Sequence, residues 1–184
     1  MARVIVVGDG PAGLSAALFL AKNGHEAVVY GQDETPMHYA LLRNYLGFDE
    51  ILGSDLQRQA RAQAAGHGAE LRDDEVARVD RDGDAFVVTL ARGAGEDRGD
   101  YVLLAGGKAA QTLARRLGAE FVGPSVVVDA QQATTVEHVY AAGRVVRPDR
   151  SQAIISAGAG AIAALDILAR EAGRSVTDWD SPDD

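Results

Sequence analysis

The chain has no cysteine. That excludes disulfides, thiolate nucleophiles and any dithiol redox pair within these 184 residues. Lysine is nearly missing too: of 18 basic residues, only Lys22 and Lys108 are lysines. Positive charge is outnumbered, 18 basic residues against 27 acidic, for a formal net charge of −9. That balance argues against a nucleic-acid partner. An acid-rich, arginine-rich surface suits solubility in high salt. Biased base composition leaves the same signature, and both origins stay open. The four histidines, His25, His38, His67 and His138, stand without metal-ligand spacing, so no metal site is assigned. No apolar run approaches the length of a membrane span, and the N-terminus lacks a signal-peptide pattern. The expected location is the cytoplasm. What is abundant is apolar sequence, 47%, and glycine, 21 residues. The length suits one domain with a sizeable core rather than two.

The richest stretch is the first 31 residues. An apolar strand, Arg3-Val4-Ile5-Val6-Val7, runs into Gly8-Asp9-Gly10-Pro11-Ala12-Gly13. A small-residue helix from Pro11 to about Asn23 follows, then a second apolar stretch, Ala27 to Tyr30. Strand, glycine turn, helix, strand is the order a dinucleotide fold needs. Gly8 permits the tight turn, Gly10 lets backbone approach a pyrophosphate, and Gly13 lets helix pack close to strand. Pro11 and Ala12 open the helix, whose free N–H groups and partial positive charge suit phosphate. The bland alternative is a plain glycine-rich turn between strand and helix.

Further along, Ser54 reads as the N-cap of a helix from Asp55 to about Ala65. Ala69 to Leu71 reads as a short strand. Val76–Asp80 and Ala85–Ala91 read as small strands joined by the hairpin signal Asp82-Gly83-Asp84. Gly93 to Gly99 reads as a polar turn, and Tyr101 to Gly107 as a buried strand ending in glycines. A short helix from Gln111 to Leu117 and a strand from Ser125 to Asp129 follow. Val139 to Gly143 is a second buried strand. A long small-residue helix, Ser151 to Ala172, closes on Gly173. Its residues Ala157 to Ala164 suit close helix packing more than a binding surface. The expected domain is 1–177, with an acidic, frayed tail over 178–184, docked by Trp179.

Several of these segments together resemble the FAD-binding domain of the low-molecular-weight thioredoxin reductase family. They are the glycine turn with its helix, Arg43-Asn44-Tyr45-Leu46-Gly47-Phe48, the helix and strand from Gly53 to Leu71, Tyr101-Val102-Leu103-Leu104-Ala105-Gly106-Gly107, and Val139-Tyr140-Ala141-Ala142-Gly143-Arg144-Val145 with the Gln152-Ala153 helix after it. The resemblance implies a Rossmann-like α/β fold with a mostly parallel central sheet and a small antiparallel cap. It implies FAD as cofactor and a homodimer. Transferred residue by residue, it places Gly8, Gly10, Pro11, Ala12 and Gly13 at the pyrophosphate. Gly31 and Gln32 would lie beside the adenosine ribose, and Glu75 and Val76 on the adenine side. Asn44 would contact the flavin, with Tyr39 and Tyr45 free to stack on it or to cover a core edge. Ala105, Gly106, Gly107, Gly143 and Arg144 would lie along the ribityl chain and phosphates. Gln152 and Ala153 would meet the flavin's pyrimidine edge.

The departures are equally specific. The family inserts an NADPH-binding domain with a redox dithiol after the first of the two late strands. Here only Lys108 to Val122 bridge the halves, without a second glycine fingerprint. Arg144 stands where the family has an aspartate on the ribityl chain, so the arginine either reaches the pyrophosphate or obstructs the flavin. Gly106 replaces a threonine. Gly31 stands where many dinucleotide folds have a ribose-binding acid, which Asp33 or Glu34 would then supply. No residue set forms a general acid–base pair or an activated nucleophile. The expected function is a small FAD oxidoreductase, reduced by NAD(P)H or a partner reductase and passing electrons to an unnamed acceptor. The alternatives are a non-catalytic FAD or nucleotide-binding sensor or complex subunit, and a decayed domain without cofactor.

Overall fold

The computed structural model describes residues 1–31, 35–91 and 95–181. In chain order the strands and helices are β1 (Arg3–Val7), α1 (Pro11–Lys22), β2 (Glu26–Gly31), β3 (Leu41–Leu42), β4 (Ile51–Leu52), α2 (Gly53–Gly66), β5 (Glu70–Asp73), β6 (Val76–Asp82) and β7 (Ala85–Leu90). They continue with β8 (Glu96–Gly99), β9 (Tyr101–Leu104), α3 (Lys108–Leu117), β10 (Phe121–Val122), β11 (Ser125–Val126), β12 (Val139–Ala141) and α4 (Ala153–Ala172). Five strands form one parallel sheet in the order β12-β9-β1-β2-β5. β1 lies at its centre, and the chain order reverses beside it. That reversal is the switch point at which doubly wound sheets bind ligands, beyond the carboxyl ends of the strands.

Both faces of this sheet are covered, which is why β1, β2, β9 and β12 read as nearly continuous apolar runs, while the edge strand β5 (Glu-Leu-Arg-Asp) stays polar and partly exposed. Alternate residues serve opposite layers. Val4 and Val6 face a core shared with α1, α4 and Ala64 of α2. Ile5 and Val7 face a second core with Val79 and Phe86 of the cap and Leu113 of α3. The cap is three-stranded, β6-β7-β8, and antiparallel. α1 and α4 approach closely because they meet through small residues. A Cβ on Gly160 would overlap the carbonyl oxygen of Ala12.

Four local readings are corrected. The segment up to Gly99 is not only a turn: Glu96–Gly99 forms the third cap strand. Its polar residues hide this, because Asp97 is engaged by side chains and Gly99 leaves room for Ile5. α2 begins at Gly53, with Leu52 rather than Ser54 at the cap and no side-chain cap bond. Gly53 is the first residue of the helix, and only glycine fits there, since a Cβ would overlap the Met37 carbonyl. α4 is, by length and composition, apolar enough to cross a membrane, contrary to the expectation that no run would be. In this fold its stripe Ala159, Gly160, Ala163, Ala164, Ile167 and Leu168 is buried. Finally, Asp178 and Asp180 both pair with Lys22, and Asn23 Nδ2 donates to Asp178 Oδ1 at 3.1 Å. The tail is therefore tied to the end of α1 by charge. Trp179, expected to dock it, is 87% exposed.

Asp97 fastens the cap to the parallel sheet. Tyr30 donates to Asp97 Oδ2 at 2.7 Å, Arg72 Nη1 to the same oxygen at 2.9 Å, and Arg3 Nη2 to Oδ1 at 3.0 Å. Burial opposes ionisation of Asp97, but the hydrogen bonds from Tyr30, Arg3 and the Arg98 N–H outweigh it and hold the carboxyl below its ordinary range. A depressed folded pKa adds stability above the unfolded carboxylate value of about 3.9, and that stability is lost as pH falls through the folded value. Asp97→Asn should therefore cost about 1–3 kcal/mol at neutral pH and make stability less dependent on acid. Urea denaturation from pH 7 to pH 3 reads both effects. Parallel pH profiles for the two proteins would refute the assignment.

Candidate cofactor-binding site

The glycine turn and two later loops open one cleft of about 420 Å³ at the switch point. Gly8 turns the chain out of β1 with φ +113°, a value L side chains rarely adopt. Its N–H donates to the Tyr30 carbonyl at 2.7 Å, and a Cβ there would stand 3.0 Å from the backbone of Ala105. Gly10 caps α1, and a Cβ placed on it meets nothing within 4 Å. Gly13 lies behind the turn, where a Cβ would overlap the Gly8 carbonyl oxygen.

Three helices begin at this cleft. α1 starts from Gly10, α3 from Gly107 and α4 from Gln152, and none of the three has a side-chain cap bond. The first turns of α1 and α4 line one hollow together with Gly107, the capping residue of α3, and the partial positive charge of those helix starts suits a polyanion. Arg144 adds a full charge. It borders the cleft, is exposed, and has no hydrogen bond or ion pair among the described residues. Gly143 turns this segment with φ +77° against Ala12 and Ser156. The opposite wall is apolar, from Pro36, Met37, Ala40 and Leu42.

A chain of side-chain bonds fixes the turn. Thr35 accepts from the Met37 N–H at 3.2 Å and donates to Gln57 Oε1 at 2.8 Å. Gln57, 2% exposed, donates from Nε2 to the Asp9 carbonyl at 2.7 Å. Asn44 lies off the wall in the Arg43–Asp49 loop, but its Nδ2 donates to Gln152 Oε1 at 2.9 Å. That bond links the loop to the start of α4.

The structure thus gathers Gly8, Gly10, Pro11, Ala12, Ala105, Gly106, Gly107, Gly143, Arg144, Gln152 and Ala153 around one space. Gly13 and Gly31 support it from behind. Glu75 and Val76 are not on the wall. Glu75 N–H donates to Asp74 Oδ1 and its carbonyl accepts from Ala91, while Val76 is buried against the cap. Tyr45 covers a small core with Met37 and Leu42, and Tyr39 is exposed. Gln32, Asp33 and Glu34 lie outside the described residues. Sequence reading passes over Asp9, Thr35, Met37, Ser151 and Ser156, all on the wall. Only Asp9 has a visible signal, its place between the two glycines.

Comparison with known proteins fits this geometry. A family model described as pyridine nucleotide-disulphide oxidoreductase matches residues 42–164. The chain belongs to that family. A second model, FAD binding domain, matches residues 3–40. Among curated relatives, the thioredoxin reductase of Streptomyces clavuligerus is 41% identical over 96 residues, 50% of this chain and 30% of that protein. The thioredoxin reductase of Streptomyces coelicolor is 38% identical over 96 residues, with the same shares. The chain therefore matches only about a third of those relatives' length. In three dimensions, a thioredoxin reductase from Gloeobacter violaceus superposes with TM-score 0.85 at 18% identity, covering 97% of this chain and 99% of that one. The atypical thioredoxin reductase of Desulfovibrio vulgaris gives 0.79 at 20% identity, with 92% and 97% covered. These superpositions establish the fold. The oxidoreductase domain is thioredoxin-reductase-like, and its cofactor is FAD. The residues present fit that group: Gly10 leaves open space at the helix start, uncapped N–H groups face it, and an apolar wall stands opposite.

Proposed function

We propose that this domain holds FAD non-covalently in the cleft and exchanges electrons between an external donor and an external acceptor. The carrying observation is the meeting of three uncapped helix starts beside Gly10. Bound FAD would supply hydride and single-electron chemistry at its ring system. The protein's own part is binding and orientation. Gly10, Ala12 and Gly107 offer backbone to the pyrophosphate, Gln152 and Ala153 place the start of α4 at the ring's polar edge, and Met37 with Leu42 excludes water. Gln32, Glu75 and Val76 remain proposed contacts of the adenine half.

No dithiol comes from these 184 residues. The donor in this reading is NAD(P)H or a partner reductase, and the acceptor is not a disulfide of this chain. A cytoplasmic homodimer is part of the reading. Ile154, Ile155 and Ile162 are exposed on α4, apolar surface that a second copy would cover. Heat release followed by chromatography should yield FAD, and NADH or NADPH should bleach it with turnover on a dye. FAD that neither nucleotide nor a reductase bleaches would make the domain the non-catalytic module. Release of FMN alone, or no binding of added FAD, would overturn the proposal.

Among the described residues, Arg144 is the cation that borders the cleft. Pairing with a phosphate is a charge-assisted bond, and the site is exposed, so Arg144→Ala should weaken FAD by about 1.5 kcal/mol, roughly tenfold. Flavin titration reads this directly. Tighter binding by Arg144→Asp would mean that the arginine obstructs the flavin instead.

A further inference from the structure

β2 ends at Gly31, where dinucleotide folds of this type place the acid that binds the adenosine ribose. Glycine leaves that function without a side chain. The space is nevertheless filled. A Cβ placed on Gly31 would fall among Cβ, Cγ and Oδ1 of Asp9. The glycine turn therefore delivers a carboxylate to the point where a side chain of β2 would begin.

Asp9 is 2% exposed, yet it borders the cleft. Its backbone is pinned by the bond from Gln57 Nε2 to its carbonyl. Its carboxylate pairs through Oδ2 with Arg61 of α2, which reaches Asp73 at the end of β5 at 2.8 Å. Arg61 lies between two acids, so its charge is already answered. A buried carboxylate is costly to hold unless it is paired, and here α2 and β5 both contribute to holding it. Asp9 thus stands at the carboxyl end of the sheet, next to Gly10 and directly against the end of β2.

We propose that Asp9 is the ribose-binding acid of this domain. Its carboxylate accepts a hydrogen bond from the 2′-hydroxyl on the adenosine half of FAD, and Arg61 orients it. The inference rests on the FAD reading above. It also gives the site a preference, because a carboxylate here repels a 2′-phosphate.

The test compares FAD with its 2′-deoxyadenosine analogue by flavin fluorescence titration. Wild type should bind FAD about ten- to hundredfold more tightly than the analogue, the range for a hydrogen bond to a charged group. Asp9→Ala should bind both equally, at the analogue's affinity. Asp9→Asn keeps the shape of the turn and guards against a folding defect, with thermal melts as the check. It too should lose most of the discrimination. Asp9→Gly combined with Gly31→Glu removes the Asp9 Cβ and Cγ that a side chain at position 31 would overlap, returns the acid to β2 in the space so freed, and should restore discrimination. Discrimination kept by both single Asp9 variants would overturn the inference. So would its loss in Asp33→Ala or Glu34→Ala with Asp9 intact. Wild type that binds FAD without discriminating overturns this inference alone. Wild type that binds neither flavin overturns it together with the FAD reading.

Discussion

Gly10→Val should fold with only a modest loss of stability and bind FAD at least about a hundredfold more weakly than wild type. The two halves of that result have separate causes. A Cβ on Gly10 meets nothing within 4 Å, and the residue's φ of −73° is open to any side chain. Valine therefore costs the protein only the weaker capping of α1, about 1 kcal/mol or less. The space that the side chain would enter is the cleft at the start of α1, where a pyrophosphate must approach backbone N–H groups. Branched carbons there hold the phosphates off those donors and crowd them, at about 3 kcal/mol or more, roughly a hundredfold in affinity. Thermal melting without added flavin should show a shift of no more than about 4 °C, and flavin titration should show the loss. Full FAD occupancy in Gly10→Val would mean that the phosphates lie elsewhere.

Gly160→Ala should do the reverse, damaging the fold before the site. Its Cβ would overlap the Ala12 carbonyl, and that atom cannot move aside because it belongs to the first turn of α1. The helices must separate, opening the core around Ala16, Ala163 and Ile167. The expected cost is about 3 kcal/mol or more, a fall in Tm of about 6–12 °C for a chain of this size. Gly158, on the same helix, meets nothing within 4 Å and is the matched control. Equal melting temperatures for Gly160→Ala and Gly158→Ala would contradict the close approach of α1 and α4.

These glycines also mark how far the fold is legible in the residues themselves. The βαβ unit at the N-terminus is legible because period and punctuation agree there: an apolar strand, three spaced glycines, Pro11 at the helix start. The small residues of α4 are legible as packing for the same reason. What stays hidden is set by contacts distant in sequence. Glu96–Gly99 has no strand pattern of its own and becomes one through Arg3, Tyr30 and Ile5. Ser54 looks like the cap of α2, but the helix already begins at Gly53, whose lack of a side chain is required by the Met37 carbonyl beside it. Trp179 is the one tryptophan and looks like an anchor, but Lys22 holds the tail instead. On the cleft wall, glycines and helix starts are readable from motif. Thr35 and Met37 are not, because a loop of poor periodicity carries them there. Asp9 is in plain view, and its meaning depends on Gly31 being a glycine at the end of the neighbouring strand.

Between β9 and β12 the chain leaves the sheet, passes through α3 and the β10–β11 hairpin, and returns to the strand it left. β12 then pairs parallel with β9, Val139 opposite Val102. The hairpin tip, Gly123-Pro124, is at the surface beside exposed Val122; the order of the parallel sheet does not run through it, and its tie to α3 is the bond from Gln111 Nε2 to the Pro124 carbonyl at 2.8 Å. Lengthening a loop costs only about 0.6 kcal/mol for each doubling. The tip is therefore a place where an inserted segment should be tolerated, with the sheet on either side closing as before. An insertion there should leave the cleft unchanged, because none of its wall residues lies in the hairpin.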